Sequence, residues 1–485
     1  MRSTSPYAFR RALASRLRSG TMLVGCAILL GGCKTFSPDG GMGPIAAIIG
    51  QGLNKDVIVV RSAEDDIWAR EAVASLLKKP LTADGAVQVA LLNNRGLQAA
   101  YNDLGIAEAV MVASSRPPAP SFSISRVSTS LELDIERQIV ASILGLVTQP
   151  ARSRIAADRF AQAQLQAALE TLRVAAETKR AYCNAVGARE IVAAVANFKS
   201  TAEKSAELAT RLGETGALNK LDQAREQVFY ADVTTELAAA RQQATIELEE
   251  LVRLMGLWGH DLDIKLPSVL PALPGKPRSL PTIEQDAMSH RVDLQIARIE
   301  VEALAKSYGL TRATHFINVL DASGISKTQK DEGSGEPHSD GGGFDVTFEV
   351  PIFDFGRPRV REAEQRYMQA VNLLAEDAIN ARSEARGAYR TYRSAYEISG
   401  HYRRDVLPLR QIAFDQAQLQ FNSMLIDVFS LVTESRQLIN ATVNGVEAKR
   451  DFWIAHTNLG VAVLGGGGIR KGGTFSAAKA ALASQ

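Results

Sequence analysis

The sequence predicts a mainly helical chain with a small β part, built as one unit written twice: a helix, a β-hairpin, then two long helices. Three observations carry this reading. Residues 151–266 hold no proline and few glycines, while alanine and leucine recur there at helical spacing. Two short stretches, Phe122 to Glu136 and Phe344 to Val350, change to a period of two. The order of these features then repeats on either side of the proline-rich segment 267–281.

Composition agrees with long helices packed through small residues, since aromatic residues make up only 6% of the 485. The formal net charge of +2 becomes −3 once the five arginines that precede residue 33 are removed. Basic residues elsewhere are interleaved with acids rather than striped along one face, which excludes a nucleic-acid footprint.

The N-terminus carries an address. Arg2, Arg10, Arg11, Arg16 and Arg18 precede the apolar run Met22 to Leu30, and Leu30-Gly31-Gly32-Cys33 follows. The apolar run is about half the ~20 residues a transmembrane helix needs. Small residues just before a cysteine resemble the lipobox of bacterial lipoprotein signal peptides. That resemblance implies cleavage before Cys33 and acylation of its thiol, and Lys34, in place of an inner-membrane-retaining Asp, implies the outer membrane. Cys183 would then be alone in the mature chain, mid-helix after Tyr182, as a structural thiol.

Residues 33–64 read as a lipid-anchored linker without sustained periodicity. Asp65 to Leu77 reads as a short helix. A further helix runs from Pro80-Leu81-Thr82-Ala83-Asp84, with Thr82 or Asp84 as N-cap, to the stop at Arg116-Pro117-Pro118. Phe122 and Ile124 alternate with serines, and Leu131, Leu133 and Ile135 alternate with Glu132, Asp134 and Glu136. A first long helix starts after Pro150 and reaches the turn Gly213-Glu214-Thr215-Gly216, on the order of 95 Å at ~1.5 Å per residue. The second returns from Leu218 to Gly256.

In the second half a helix spans Thr282 to about Tyr308 and a strand lies near Phe316 to Ile325. After a Gly-rich loop, Phe344, Val346, Phe348 and Val350 alternate with Asp345, Thr347 and Glu349. Phe355-Gly356-Arg357-Pro358 opens a long helix with a bend near Pro408 and an end about Asn422, and a last helix runs from Leu425 to Gly460.

Two hairpins with apolar residues on one face and carboxylates on the other leave both sheet edges open, and transmembrane barrels need ~8 or more strands. Alternation alone admits either a soluble hairpin lying on a helix or a barrel shared between copies. The outer-membrane address selects the barrel: three copies supply about twelve strands, with Glu132, Asp134, Asp345 and Glu349 facing the lumen and the Phe-rich face toward lipid.

Further residues carry a resemblance to a family. Pro80-Leu81-Thr82 with Ala86, Ala90-Leu91, Asn93-Asn94, Leu97 and Tyr101, then Val350-Pro351-Ile352-Phe353-Asp354-Phe355-Gly356 and the closing Leu459-Gly460, resemble the TolC-like outer-membrane efflux family in order and spacing from about Asp65 to Val463. The resemblance implies a homotrimer with a twelve-stranded transmembrane β-barrel that continues into a trimeric α-barrel tunnel through the periplasm. It also implies partners, a periplasmic adaptor (membrane fusion) protein and an inner-membrane pump. The turn between the two long helices of each repeat would be the periplasmic aperture, which assigns Gly216 and Asp222 in the first repeat, Met424 and Asp427 in the second. As plain helix-start carboxylates, these two acids would contribute only a few tenths of a kcal/mol each, roughly.

No enzyme chemistry is expected. The six histidines lack metal-ligand spacing, the glycine runs lack a phosphate-binding context, and the alternating acids more simply line water, so neither cofactor nor metal is implied. The expected organisation is a signal peptide over 1–32, the linker over 33–64, repeats over 65–266 and 282–463 joined by 267–281, and a tail over 464–485. The reading is a passive exit duct of a tripartite efflux or secretion system, with drugs, metal cations and proteins all open as cargo. A helical envelope-bridging lipoprotein lacks a use for the Phe344 to Val350 alternation. A periplasmic adaptor resembles one helical hairpin rather than two.

Overall fold

The computed structural model describes residues 35–128, 132–259, 264–331 and 339–465; Cys33, the leader before it and the tail beyond Gly465 lie outside them. Helices α1 (Gly43–Leu53), α2 (Ala63–Leu77), α3 (Ala83–Asn93) and α4 (Arg95–Ser114) precede strands β1 (Ser121–Ser128) and β2 (Glu132–Ser142). Two long helices follow, α5 (Ile143–Glu214) and α6 (Lys220–Met255). The second half repeats the order with α7 (Ile283–His290), α8 (Val292–Thr314), β3 (Val319–Asp331), β4 (Ser339–Glu349), α9 (Arg357–His401), α10 (Leu407–Asn422) and α11 (Val428–Leu464). The chain divides into two compact units.

One unit gathers residues 104–163 and 298–372 with the segment that ends at Gly41, and it contains the sheet. The four strands form an antiparallel meander in the order β1-β2-β3-β4, so both outer strands have an open edge within the chain. Beside it Lys306 Nζ lies 2.6 Å from Asp158, and Tyr308 stacks on Tyr367 at 6.5 Å. Gly356 enters α9 with φ +67, and a Cβ there would lie 2.1 Å from the His315 carbonyl oxygen. Only glycine fits, which explains the Phe355-Gly356 step.

The other unit comprises residues 42–103, 164–297 and those from 373 onward, and is helical. Its core is built from small side chains: Ala168, Ala175, Ala185 and Ala202 of α5 are at most 2% exposed. The asparagine pair of the sequence motif serves as a clasp. Asn93 Nδ2 donates to the carbonyls of Met255 and Gly256, and Asn94 Nδ2 to that of Leu254, satisfying the last carbonyls of α6. Asn94 Oδ1 meanwhile accepts from Leu97 N–H at the start of α4, and Tyr182 Oη donates to the Leu81 carbonyl.

Several expectations about element limits are corrected. Residues 33–64 are not all linker: α1 forms there, with Ile45 and Ile49 fully buried, because burial on tertiary neighbours stabilises a helix too short to show periodicity. The helix expected from Pro80 to Arg116 is two helices broken at Asn94, and that expected from Thr282 is broken at Arg291, each with an extended backbone. Buried Arg291 there binds Asp293 at 2.6 Å and Glu384 at 2.7 Å, so the break places a charge among its partners. The first long helix starts at Ile143 and Pro150 lies inside it. Ser142 caps it by accepting from Gly145 N–H, Thr148 and Arg152 side chains bond the Leu144 and Gly145 carbonyls, and Pro150, eight residues in, forgoes only the bond to the Leu146 carbonyl. Strand β3 starts at Val319 rather than Phe316, and β4 at Ser339 inside the Gly-rich loop, because Gly341 to Gly343 pair with Lys327 to Ile325 through backbone alone. The residues expected to bend near Pro408 form a π-helical turn, Tyr402–Val406, which accommodates the proline's missing N–H.

Candidate functional site

The register divides the sheet into two chemically distinct faces. Opposed residues place Phe122, Ile139, Gly324 and Phe344 in one row, and Leu320 with Phe348 in another, on the same face. Phe122, Ile139, Phe344 and Phe348 among them are large exposed apolar groups: Phe344 is 86% and Phe348 68% exposed. The other face carries Glu132, Asp134 and Glu136 of β2, Asp321 and Lys327 of β3, and Asp345, Thr347 and Glu349 of β4. All four residues assigned to a lumen therefore share one face. Asp134 pairs with Lys327 at 3.3 Å, Gln138 donates to Ser323 at 3.2 Å, and Glu349 accepts from Asn318 Nδ2 at 2.9 Å. No helix among the described residues is long and apolar enough to cross a membrane.

The two helix turns are the second group. After α5, Ala217 N–H donates to Leu212 O and Gly216 N–H to Gly213 O; after α10, Leu425 N–H donates to Gln420 O and Met424 N–H to Phe421 O. Both follow the Schellman pattern, which needs a left-handed residue at the turn. Gly216 has φ +74 and Met424 φ +56, so methionine holds a conformation that favours glycine. Met424→Gly should therefore leave the protein about 1 kcal/mol more stable, and Gly216→Val less stable by about 1–2 kcal/mol, read from thermal melts of the solubilised protein.

The carboxylates at these turns hold different stations. Asp427 is the N-cap of α11 and accepts from Ser430 N–H at 3.0 Å, whereas the N-cap of α6 is Asn219, and Asp222 lies one turn further in. The true counterpart of Asp427 is Asn219, a residue the sequence reading passed over although Asn three residues before an acid is a helix-start signal. Asp222 accepts from Asn219 Nδ2 at 2.6 Å and pairs with Arg225 at 3.1 Å. The same Arg225 guanidinium lies 5.4 Å from the centre of the Phe429 ring on α11, tying the two turns together. Hydrogen bonds from the Ser430 hydroxyl and amide, with Arg225 adding a smaller attraction, hold the Asp427 carboxyl below the usual carboxylate range. Met424 is 93% and Leu425 75% exposed at the same place. Cys33, the residue assigned to lipidation, lies outside the described residues. Cys183 is buried, and burial pushes its thiol up to about 11, consistent with a packing role.

Comparison with known proteins places this geometry. Residues 283–466 match the family model described as outer membrane efflux protein. The cobalt-zinc-cadmium resistance protein CzcC of Cupriavidus metallidurans is 21% identical over 388 residues, 78% of this chain and 87% of CzcC. A membrane protein from Pseudomonas aeruginosa, 19% identical, superimposes with a TM-score of 0.66 over 81% of this chain and 93% of its own. The Campylobacter jejuni CmeC outer membrane channel, 16% identical, does so with a TM-score of 0.64 over 88% of this chain and 92% of its own. Doubled helix–hairpin–helix–helix order, the two-faced open sheet and these matches lead to one conclusion: the chain has the fold of the outer-membrane efflux channels, and its second half, residues 283–466, is similar to the outer membrane efflux protein family.

Proposed function

We propose that the protein is the outer-membrane channel subunit of a tripartite efflux system, a passive exit duct with no catalytic centre of its own. The observation that carries this is the two-faced sheet with both edges open. A lone four-stranded sheet with Phe344 and Phe348 exposed would aggregate in water, and in a bilayer each unpaired backbone group along its edges would cost several kcal/mol, roughly. Pairing β1 of one copy with β4 of the next, three times round, removes every edge and gives a barrel of about twelve strands with the carboxylate face around water. The helices then line a tunnel in the periplasm, where an adaptor protein joins the duct to an inner-membrane pump.

Purified in detergent, the protein should have the mass of a homotrimer and should conduct ions after insertion into a planar bilayer. A stable folded monomer without conductance would overturn the reading. The relative CzcC is a cobalt-zinc-cadmium resistance protein; divalent metal cations are accordingly the cargo class to test first, by metal sensitivity of cells that lack the gene.

Anchoring belongs to the same proposal. With small residues at Gly31 and Gly32 before Cys33, the leader is cut at that cysteine and the thiol acylated. Cys33→Ser should abolish incorporation of a fatty-acid probe and leave the leader attached; equal labelling of the variant would dismiss the lipoprotein reading.

A further inference from the structure

The outward face of the sheet is not uniformly apolar. Its rows of Leu320 and Phe348, Ala322 and Val346, then Phe122, Ile139 and Phe344 give way, toward the hairpin ends, to a row containing Arg137 and one containing Arg126. Both arginines are exposed. They stand on adjacent strands at diagonal positions, where Cα atoms lie ~7–8 Å apart and like charges repel. Neither has a directly opposed or diagonal carboxylate within the chain; the row of Arg126 runs through Ile135 and Thr328 to Asp340 on the outer strand β4. Around Arg137 stand Ile124, Arg126, Ile135, Ile139, Ser326 and Thr328, and its guanidinium donates to Thr328 Oγ1 at 3.3 Å. Arg126 and Arg137 form no ion pair among the described residues, in contrast to Lys327 on the opposite face, which pairs with Asp134.

Below Arg137 the sheet surface is hollowed. Strand β3 presents the small residues Ser326, Gly324 and Ala322 in succession, walled by Ile139 on β2 and Phe344 on β4. A shallow furrow lined by Arg137, Ile139, Gly324, Ser326, Gly342 and Phe344 results, and a Cβ at Gly324 would meet open space. A furrow that is apolar along its length and headed by unneutralised arginines complements a molecule with an acyl chain and an anionic end.

We propose that Arg126 and Arg137, with the furrow over Gly324, hold a phosphate-bearing acylated lipid of the outward leaflet, lipid A by chemical class. This rests on the channel reading above, in which this face meets the bilayer and the hairpin ends lie on its outer side. A guanidinium on a lipid-facing strand is tolerated toward the headgroup level, where it can reach phosphate. The phosphate relieves the repulsion between the two arginines, and one acyl chain lies along β3 between Ile139 and Phe344. The lipid thereby fills a hollow on the barrel wall that no side chain of this sheet fills.

Native mass spectrometry of the full-length detergent-purified protein, titrated separately with bisphosphorylated lipid A and with phosphatidylcholine, tests this. Wild type should retain lipid A at least tenfold more tightly than phosphatidylcholine. Arg137→Gln should weaken lipid A retention at least fivefold, and the double variant Arg126→Gln, Arg137→Gln should abolish the preference. Gly324→Leu, which fills the furrow and leaves both arginines in place, should also weaken lipid A. Trimer mass and bilayer conductance are read on every variant. A conducting trimer whose lipid A retention is unselective, or unchanged by the double variant, overturns the lipid site alone. Absence of any wild-type trimer overturns the channel reading and this site with it.

Discussion

Phe348→Arg should abolish trimer assembly. Phe348 lies on the apolar face, 68% exposed in the single chain and opposite Leu320 on β3. Near the bilayer midplane an arginine on a barrel's lipid face costs about 2–4 kcal/mol per copy, so three copies lose about 6–12 kcal/mol, comparable to the whole stability of an ordinary domain. Thr347→Arg is the matched control one residue away. Its side chain is on the polar face opposite Asp321, where an arginine gains a partner instead of losing solvent. Glu349 would be a poorer control, because it holds Asn318 at 2.9 Å and Arg359 already donates to that asparagine. Cross-linking in membranes reads the result: trimers in Thr347→Arg and wild type, monomers in Phe348→Arg. Equal assembly of both variants would show that this face does not meet lipid.

The second large effect is expected at the helix turns. If these turns face the tunnel, threefold copying of Asp222 and Asp427 would make a ring of carboxylates that focuses negative potential and favours cations. Arg225 tempers it, since its pairing with Asp222 reduces these three groups to a single net negative charge in each chain. The double variant Asp222→Asn, Asp427→Asn should bring the zero-current potential in a salt gradient close to zero and relieve block by multivalent cations. Asparagine still accepts from Ser430 N–H as an N-cap, so trimers should persist. Arg225→Gln alone should strengthen cation preference. Because the folded Asp427 carboxyl titrates below the usual range, its charge persists as pH falls through about 4. The capping contribution has the same sign: it is present above the unfolded pKa and is lost only as pH falls through the lower folded one. Selectivity indifferent to the double substitution would mean that these acids are ordinary helix-start residues and that the gate lies elsewhere.

Periodicity made the architecture legible. A run of 72 residues in one helix, Ile143–Glu214, and strands that alternate Phe with Asp or Glu are signals each residue contributes to, so order and repeat could be read without contacts. The acidic character of one sheet face was equally open to reading, because a strand's side chains alternate whatever they pack against. Limits of elements were less legible where one residue satisfies another far away. Asn94 breaks a helix because its amide reaches the Leu254 carbonyl, 160 positions distant. Arg291 breaks another because Glu384 receives its charge. Pro150 was expected to open a helix, as prolines often do, but Ser142 at the end of β2 caps α5 eight residues earlier.

At the candidate site the same division holds. Residue types along the chain determined that the turns after the long helices carry acids, that one sheet face is charged, and that the other is Phe-rich. Only tertiary structure decided that Asp222 and Asp427 occupy different stations, that Arg225 spans from Asp222 to Phe429, and that Arg126 and Arg137 stand at diagonal positions on the face that carries the phenylalanines. The physical reason is that a helix start or a strand face depends on local geometry that short spacings encode. Neutralisation of a charge depends instead on which remote strand or helix is brought within a few ångströms, and that is a property of register and packing.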